Sequence, residues 1–159
     1  MHIVIAGGSG FLGRALMRAL QRDGHRLAIL TRHPAAASPP HGNAGVHAVA
    51  WTPDGTVGPW AAALDGADVV INLAGEPIAT GRWTEAKKQR IADSRVCATR
   101  SIVSAIGAAA TPPRLLINAS GVGYYGPCGD EVVTESHPAG GDFLADVCGR
   151  WEQAAMTAA

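Results

Sequence analysis

Residues 3–20, IVIAGGSGFLGRALMRAL, run from an apolar stretch through four glycines into a helical apolar pattern. No other feature narrows the fold as much. A chain that leaves a buried strand and enters a helix within a few residues needs a turn at positive φ, which glycine adopts without a Cβ penalty. Gly7, Gly8, Gly10 and Gly13 stand in that turn. One glycine makes the tight turn, a second lets the backbone approach a phosphate, and a third lets the helix pack close on the strand. The unpaired N–H groups of the helix start, aided by the helix dipole, then hold a pyrophosphate. The alternative is a glycine-rich turn with no ligand. Context argues against it, because the motif follows a strand, precedes a helix and heads a βαβ unit.

The rest of the chain repeats that order. Short apolar runs at 2–6, 26–32, 46–51, 68–75 and 114–120 read as strands. Helical patterns fall between them: 11–24, with Leu12, Ala15, Leu16, Ala19 and Leu20 on one face; a short 60–66; and a long 84–110. The long helix carries Ile91, Ala98, Ile102, Ala105 and Ile106 on one face and has Thr84 as its expected N-cap. A last helix begins near 141. Residues 33–45, rich in Pro and Gly, read as a loop. Alternation of strand and helix predicts an α/β fold, a doubly wound parallel sheet of five visible strands with helices on both faces.

Composition removes several classes of function. Thirteen basic and thirteen acidic residues cancel, so no basic face for nucleic acid is implied. The longest apolar runs are interrupted by Gly, Asp or Arg, so no membrane span is expected. The start reads as a strand rather than a signal peptide. Cys97, Cys128 and Cys148 form no CxxC pair and read as buried free thiols in a reducing, cytoplasmic setting. His2, His25, His33, His41, His47 and His137 are scattered without metal-ligand spacing, so no metal site is expected.

The end of the second strand refines the ligand. A carboxylate there, about 20 residues past the glycines, would bond a ribose 2′-hydroxyl. Thr31 and Arg32 stand there instead. A guanidinium pairs with a 2′-phosphate that a carboxylate would repel, which favours NADP(H) over NAD(H). The competing reading of Arg32 is an ordinary solvated charge.

The segments GGSGFLG, NLAGEPIATGRWTEAKKQRIADSRVCATRSIVSAI (72–106), ASGVGYYGPCGDEVVTE (119–135) and GGDFLADVCGRWEQAA (140–155) resemble an atypical branch of the extended short-chain dehydrogenases/reductases, the NAD(P)-dependent epimerase/dehydratase-like proteins of unknown substrate. The resemblance implies a Rossmann-type fold over essentially the whole chain. Gly7, Gly10 and Gly13, with Ser9, Phe11 and Leu12 between them, would line the pyrophosphate. Thr31 and Arg32 would meet the adenosine end, and Leu73, Ala74 and Gly75 would run past the cofactor ribose. Ser120 falls where the superfamily places its catalytic serine, and Tyr125-Gly126 matches the pair that follows it.

One departure matters. The superfamily's acid–base pair is a Tyr followed four residues on by a Lys, which lowers the pKa of the phenol. If Glu152 marks the glutamate four residues after that lysine, the pair positions hold Leu144 and Cys148. No YxxxK occurs anywhere, and the lysines are Lys87 and Lys88 alone. Ser120 and Tyr125 are then the candidate catalytic residues. The alternative is that Tyr124 and Tyr125 simply pack as half-buried aromatics. Glu76, Arg82 and Trp83 could contact a substrate, or Arg82 could pair with Glu76 or Glu85. The family continues into a substrate-covering lobe that this chain is expected to lack. Two functional classes stay open: an NADP(H)-dependent epimerase or oxidoreductase acting on an unknown small molecule, and a catalytically inactive dinucleotide-binding protein. A homodimer is a further expectation. Relatives pair through the long helix, where Ala98, Ser101, Ala105 and Gly107 would allow close approach beside a basic face of Lys87, Lys88, Arg95 and Arg100.

Overall fold

A computed structural model describes residues 1–34 and 45–158. Most of the Pro/Gly segment expected as a loop at 33–45, His41 included, lies outside the described residues. The strands are β1 (His2–Ala6), β2 (Arg26–Thr31), β3 (Val46–Ala50), β4 (Val69–Asn72) and β5 (Leu115–Asn118). They form one sheet in the order β3-β2-β1-β4-β5 with every neighbour parallel. Ile5 lies opposite Ile29 on one side and Ile71 on the other. The chain winds one way from β1 through β3, then crosses back to β4. Loops at the carboxyl ends of β1 and β4 therefore diverge and leave a crevice between them.

Alternation along the strands sorts the core into two layers. Ile3, Ile5, Leu27 and Ile29 face α1 (Phe11–Arg22). Val4, Ala6, Ala28, Leu30 and Val70 face the other way. They meet the 3-10 turn Pro59–Ala63 and α2 (Glu85–Ala108) through Trp60, Leu64, Ala98, Ile102 and Ala105. α3 (Phe143–Met156) packs on α2, with Val147 and Phe143 against Ile91 and Ala92. Each fully buried Ile or Leu contributes about 1.5–3 kcal/mol.

The structure corrects four sequence expectations here. On α1 the packed face is Gly13, Leu16, Met17 and Leu20, while Leu12 is 66% exposed. Gly13 must sit on the glycine turn, and that contact sets the helix rotation. On α2 the expected basic face is not uniform: Lys87 is buried, Lys88 and Arg95 are half-buried and Arg100 is exposed. Of the small residues expected at a dimer contact, Ala98, Ser101 and Ala105 are buried within the protomer, and Gly107 is exposed. Ala98 and Ala105 lie against the sheet, and the Ser101 hydroxyl accepts from Gly55 N at 2.9 Å. β4 also ends earlier than expected, because the Asn72 side chain accepts from Ala74 N (3.1 Å) and turns Leu73–Gly75 into a loop.

Candidate functional site: a dinucleotide cleft

The glycine turn is built against β4. Gly7 has φ +78°, and a Cβ there would lie 2.7 Å from the carbonyl carbon and oxygen of Leu73. Both the conformation and the clearance exclude a side chain. Gly13 is the matching point on α1, where a Cβ would stand 2.4 Å from the Gly7 oxygen. The helix start therefore rests directly on the turn.

That start is left uncapped. Gly10 is the N-cap of α1 and offers no side chain. The other long helices are capped: Thr84 accepts from Lys87 N at 3.2 Å on α2, and Asp142 accepts from Ala145 N at 2.9 Å on α3. Among the described residues no side chain caps the first N–H groups of α1, whose N-cap Gly10 borders the crevice.

A cleft of about 410 Å³ opens there. Gly7, Ser9 and Gly10 form its floor, Thr31, Arg32 and His33 one end, and Leu73, Ala74, Gly75, Glu76 and Pro77 the other. Thr31 is buried, and its hydroxyl accepts from His33 N (3.1 Å). This turns the chain after β2 and leaves the Arg32 side chain exposed. Arg32 makes no ion pair among the described residues.

Eight of the expected cofactor residues lie along this cleft: Gly7, Ser9, Gly10, Thr31, Arg32, Leu73, Ala74 and Gly75. Phe11, Leu12 and Gly13 do not line it. Phe11 and Leu12 turn their side chains to solvent, at 86% and 66% exposure, and Gly13 is buried in the turn. The structure adds Trp51, Pro53 and Ser94, which motif reasoning missed. Trp51 and Pro53 follow β3, and the parallel sheet brings its carboxyl end to the same edge. The indole Nε1 of Trp51 is buried without a hydrogen-bond acceptor, and its ring meets Trp60 edge-on at 5.8 Å.

The loop after β4 is tied down by charge. Lys87 Nζ donates to Glu76 Oε1 (2.7 Å) and to the Pro77 carbonyl (2.9 Å), and Arg90 adds a contact to the same carboxylate (3.3 Å). The hydrogen bond from Lys87 holds the Glu76 carboxyl below the usual carboxylate range, with Arg90 adding to it against the cost of burial. Arg82 is not the partner of Glu76. Behind the loop, Asn72 donates to Thr99 Oγ1 (2.9 Å) and Asn118 Oδ1 (2.7 Å), and Trp151 donates to the same Thr99 hydroxyl (2.9 Å).

Ser120 and Tyr125 are not brought into the cleft. Ser120 donates to the Glu152 carboxylate, and the pair lines a separate hollow of about 510 Å³ with Leu116, Asn118 and Met156. Tyr125, in the 3-10 turn Val122–Tyr125, packs edge-on with Tyr124 (5.2 Å) and His137 (5.9 Å). His137 also approaches Cys128 Sγ at 3.9 Å. Leu144 and Cys148 face the loop after β5. A Cβ on Gly123 would lie 3.1 Å from the Leu144 Cβ, and Cys148 Sγ contacts the Gly121 oxygen at 3.7 Å. Burial pushes the Cys148 thiol up, with the Arg95 charge pulling the other way. Only Cys148 is buried; Cys97 and Cys128 are half-buried. Among the described residues, no helix is long and apolar enough to cross a membrane.

Comparison with known proteins agrees with this geometry. The chain is 34% identical to an SDR39U1 homolog of the epimerase family from Arabidopsis thaliana, over 99% of this chain and 45% of that protein. It is 41% identical to the epimerase family protein Mb2239 of Mycobacterium bovis, over 98% and 48%. The chain thus spans about half the length of these curated relatives. Human epimerase family protein SDR39U1, crystallised with NADPH, superposes with a TM-score of 0.79 at 30% identity, over 98% of this chain and 48% of that one. A nucleoside-diphosphate sugar epimerase from Corynebacterium glutamicum superposes at 0.75 with 34% identity, over 99% and 31%. The model of the NAD dependent epimerase/dehydratase family matches residues 3–142. A glycine cradle, an uncapped helix start and a parallel-sheet crevice are what that match would require, and the chain belongs to the NAD dependent epimerase/dehydratase family.

Proposed function

We propose that the chain is the NADP(H)-binding half of an epimerase- or oxidoreductase-like protein acting on a small molecule. The observation that carries this is the uncapped α1 start facing a cleft whose β2 end presents Arg32 and no carboxylate. The residues fit the cofactor. Gly7, Ser9 and Gly10, with the N–H groups of Phe11, Leu12 and Gly13, receive the pyrophosphate. Thr31 and Arg32 receive the 2′-phosphate, and Leu73–Gly75 border the second ribose. When bound, NADP(H) supplies hydride exchange. NADPH in the human relative supports the reading.

The test is calorimetric titration with NADPH and NADH. NADPH should bind more tightly, and Arg32→Ala should remove most of the difference, a loss of about 1.5–3 kcal/mol for a charge-assisted contact. Equal affinity for the two cofactors in the wild type would sink the preference.

A second reading, a dinucleotide-binding protein without turnover, is favoured by one observation. The two positions facing the serine loop from α3 carry an alkyl chain and a protonated thiol. NADPH oxidation with a panel of carbonyl compounds separates the readings.

A further inference from the structure

Among the described residues the sheet ends on β5, which pairs with β4 on one side and with no strand on the other. Arg114 N donates to the Asp68 carbonyl at 3.0 Å, toward β4. Alternation along the strand then turns the backbone N–H and C=O of Leu115 and Ile117 to the open edge. The edge is apolar on both faces. Leu115 and Ile117, in register with Val69 and Ile71 of the α1 layer, are 51% and 46% exposed. On the opposite face Met156 of α3 is exposed beside Leu116. An open apolar edge is a template for a further strand.

Charge is laid out along the same edge. By alternation Arg114 shares a face with Leu116, Asn118 and Ser120. Those three line the hollow of about 510 Å³ in which Ser120 donates to the Glu152 carboxylate. Arg114 is exposed, and neither it nor Glu152 makes an ion pair among the described residues. Within one copy they cannot meet along the strand, because Arg114 and Ser120 stand about 20 Å apart at about 3.3 Å per residue. An unpaired base at one end of an edge and an unpaired acid at the other complement the same edge running in the opposite direction.

An antiparallel partner centred on Ile117 satisfies both ends at once. Ile117 then faces Ile117 across the axis, with its outward backbone groups paired. Arg114 falls opposite Ser120 on the same face, beside Glu152. A basic or an acidic strand of another kind would meet one end and repel the other. We infer that the open edge of β5 is an isologous interface for a second copy of this chain: the two sheets join through antiparallel β5 strands, and Arg114 of each copy enters the hollow of the other to pair with Glu152. The small residues of α2 offer less to a partner, since Ala98, Ser101 and Ala105 are buried within the protomer.

Sedimentation velocity of the whole chain from about 1 to 100 µM is the test, and a monomer–dimer equilibrium should appear in that range. Ile117→Lys sets two charges against each other at the axis and should raise the dimer dissociation constant about tenfold or more. Arg114→Glu and Glu152→Arg should each do the same, by placing like charges in contact. The double variant Arg114→Glu/Glu152→Arg should return to within about threefold of the wild type, a rescue that misfolding could not produce. Monomer throughout the range overturns the assignment. Slow amide exchange at Leu115 and Ile117 in such a monomer would show the edge covered from within the chain. A dimer indifferent to Ile117→Lys also overturns it, because association then uses another face. So does a double variant as weak as the single ones.

Discussion

At Gly7 two independent constraints coincide, a positive φ and the backbone of Leu73 at 2.7 Å. Gly7→Ala should therefore lower stability by at least about 1–3 kcal/mol from backbone strain alone. Urea denaturation is the check, and a loss under about 0.5 kcal/mol would contradict the cradle. The same turn was readable in the sequence, because glycine spacing between a strand and a helix is a local signal. Tyr125 and Cys148 belong to the opposite case. Tyr125 packs on His137 rather than in the cleft, and Cys148 is a buried thiol held protonated. Cys148→Ala should leave NADPH affinity unchanged, and iodoacetamide should label Cys97 and Cys128 before Cys148. Peptide mass spectrometry after timed labelling gives the order, and early labelling of Cys148 would count against its burial.

Elements differ in how much of them is local. The Thr84 cap of α2 was legible because a capping hydroxyl acts on its own helix start, and Thr84→Ala should cost about 0.5–2 kcal/mol. The rotation of α1 was not, since contact with the Gly7 turn selects the face of Gly13, Leu16, Met17 and Leu20. Lys87 was expected as part of a basic helix face, and the structure draws it down onto the Glu76 loop. The Glu76 carboxyl is depressed by that contact, so the pair stabilises the fold at neutral pH and loses its contribution as pH falls through the depressed value. Urea midpoints followed from about pH 7 to pH 3 should decline on acidification. Lys87→Met should start lower and decline less over the same range. Parallel curves for the two proteins would show that the pair does not carry the acid sensitivity.

Across the whole molecule, a buried polar network joins four elements at the carboxyl end of the sheet. Asn72 on β4, Thr99 on α2, Asn118 on β5 and Trp151 on α3 meet at one hydroxyl or one step from it. Thr99→Val keeps the shape and removes the acceptor, which orphans the buried Trp151 N–H and one Asn72 donor bond. The expected cost is about 1–3 kcal/mol per orphaned group, read from chemical denaturation. A loss near zero would mean the network is replaceable by packing. No periodicity announced this network. Nor did spacing announce Arg95 against Gly75, or Ser120 on Glu152 instead of beside Tyr125. What the sequence determined by itself was the alternation of strand and helix, the glycine turn, the cap of α2 and the basic end of β2. Each of these depends on a few neighbouring residues and on steric rules that act along the chain. The tertiary structure decided which side chains meet, because strand order, parallel register and helix rotation bring together residues as far apart as Ile5 and Ile71 or Thr99 and Trp151, and no local signal encodes those encounters.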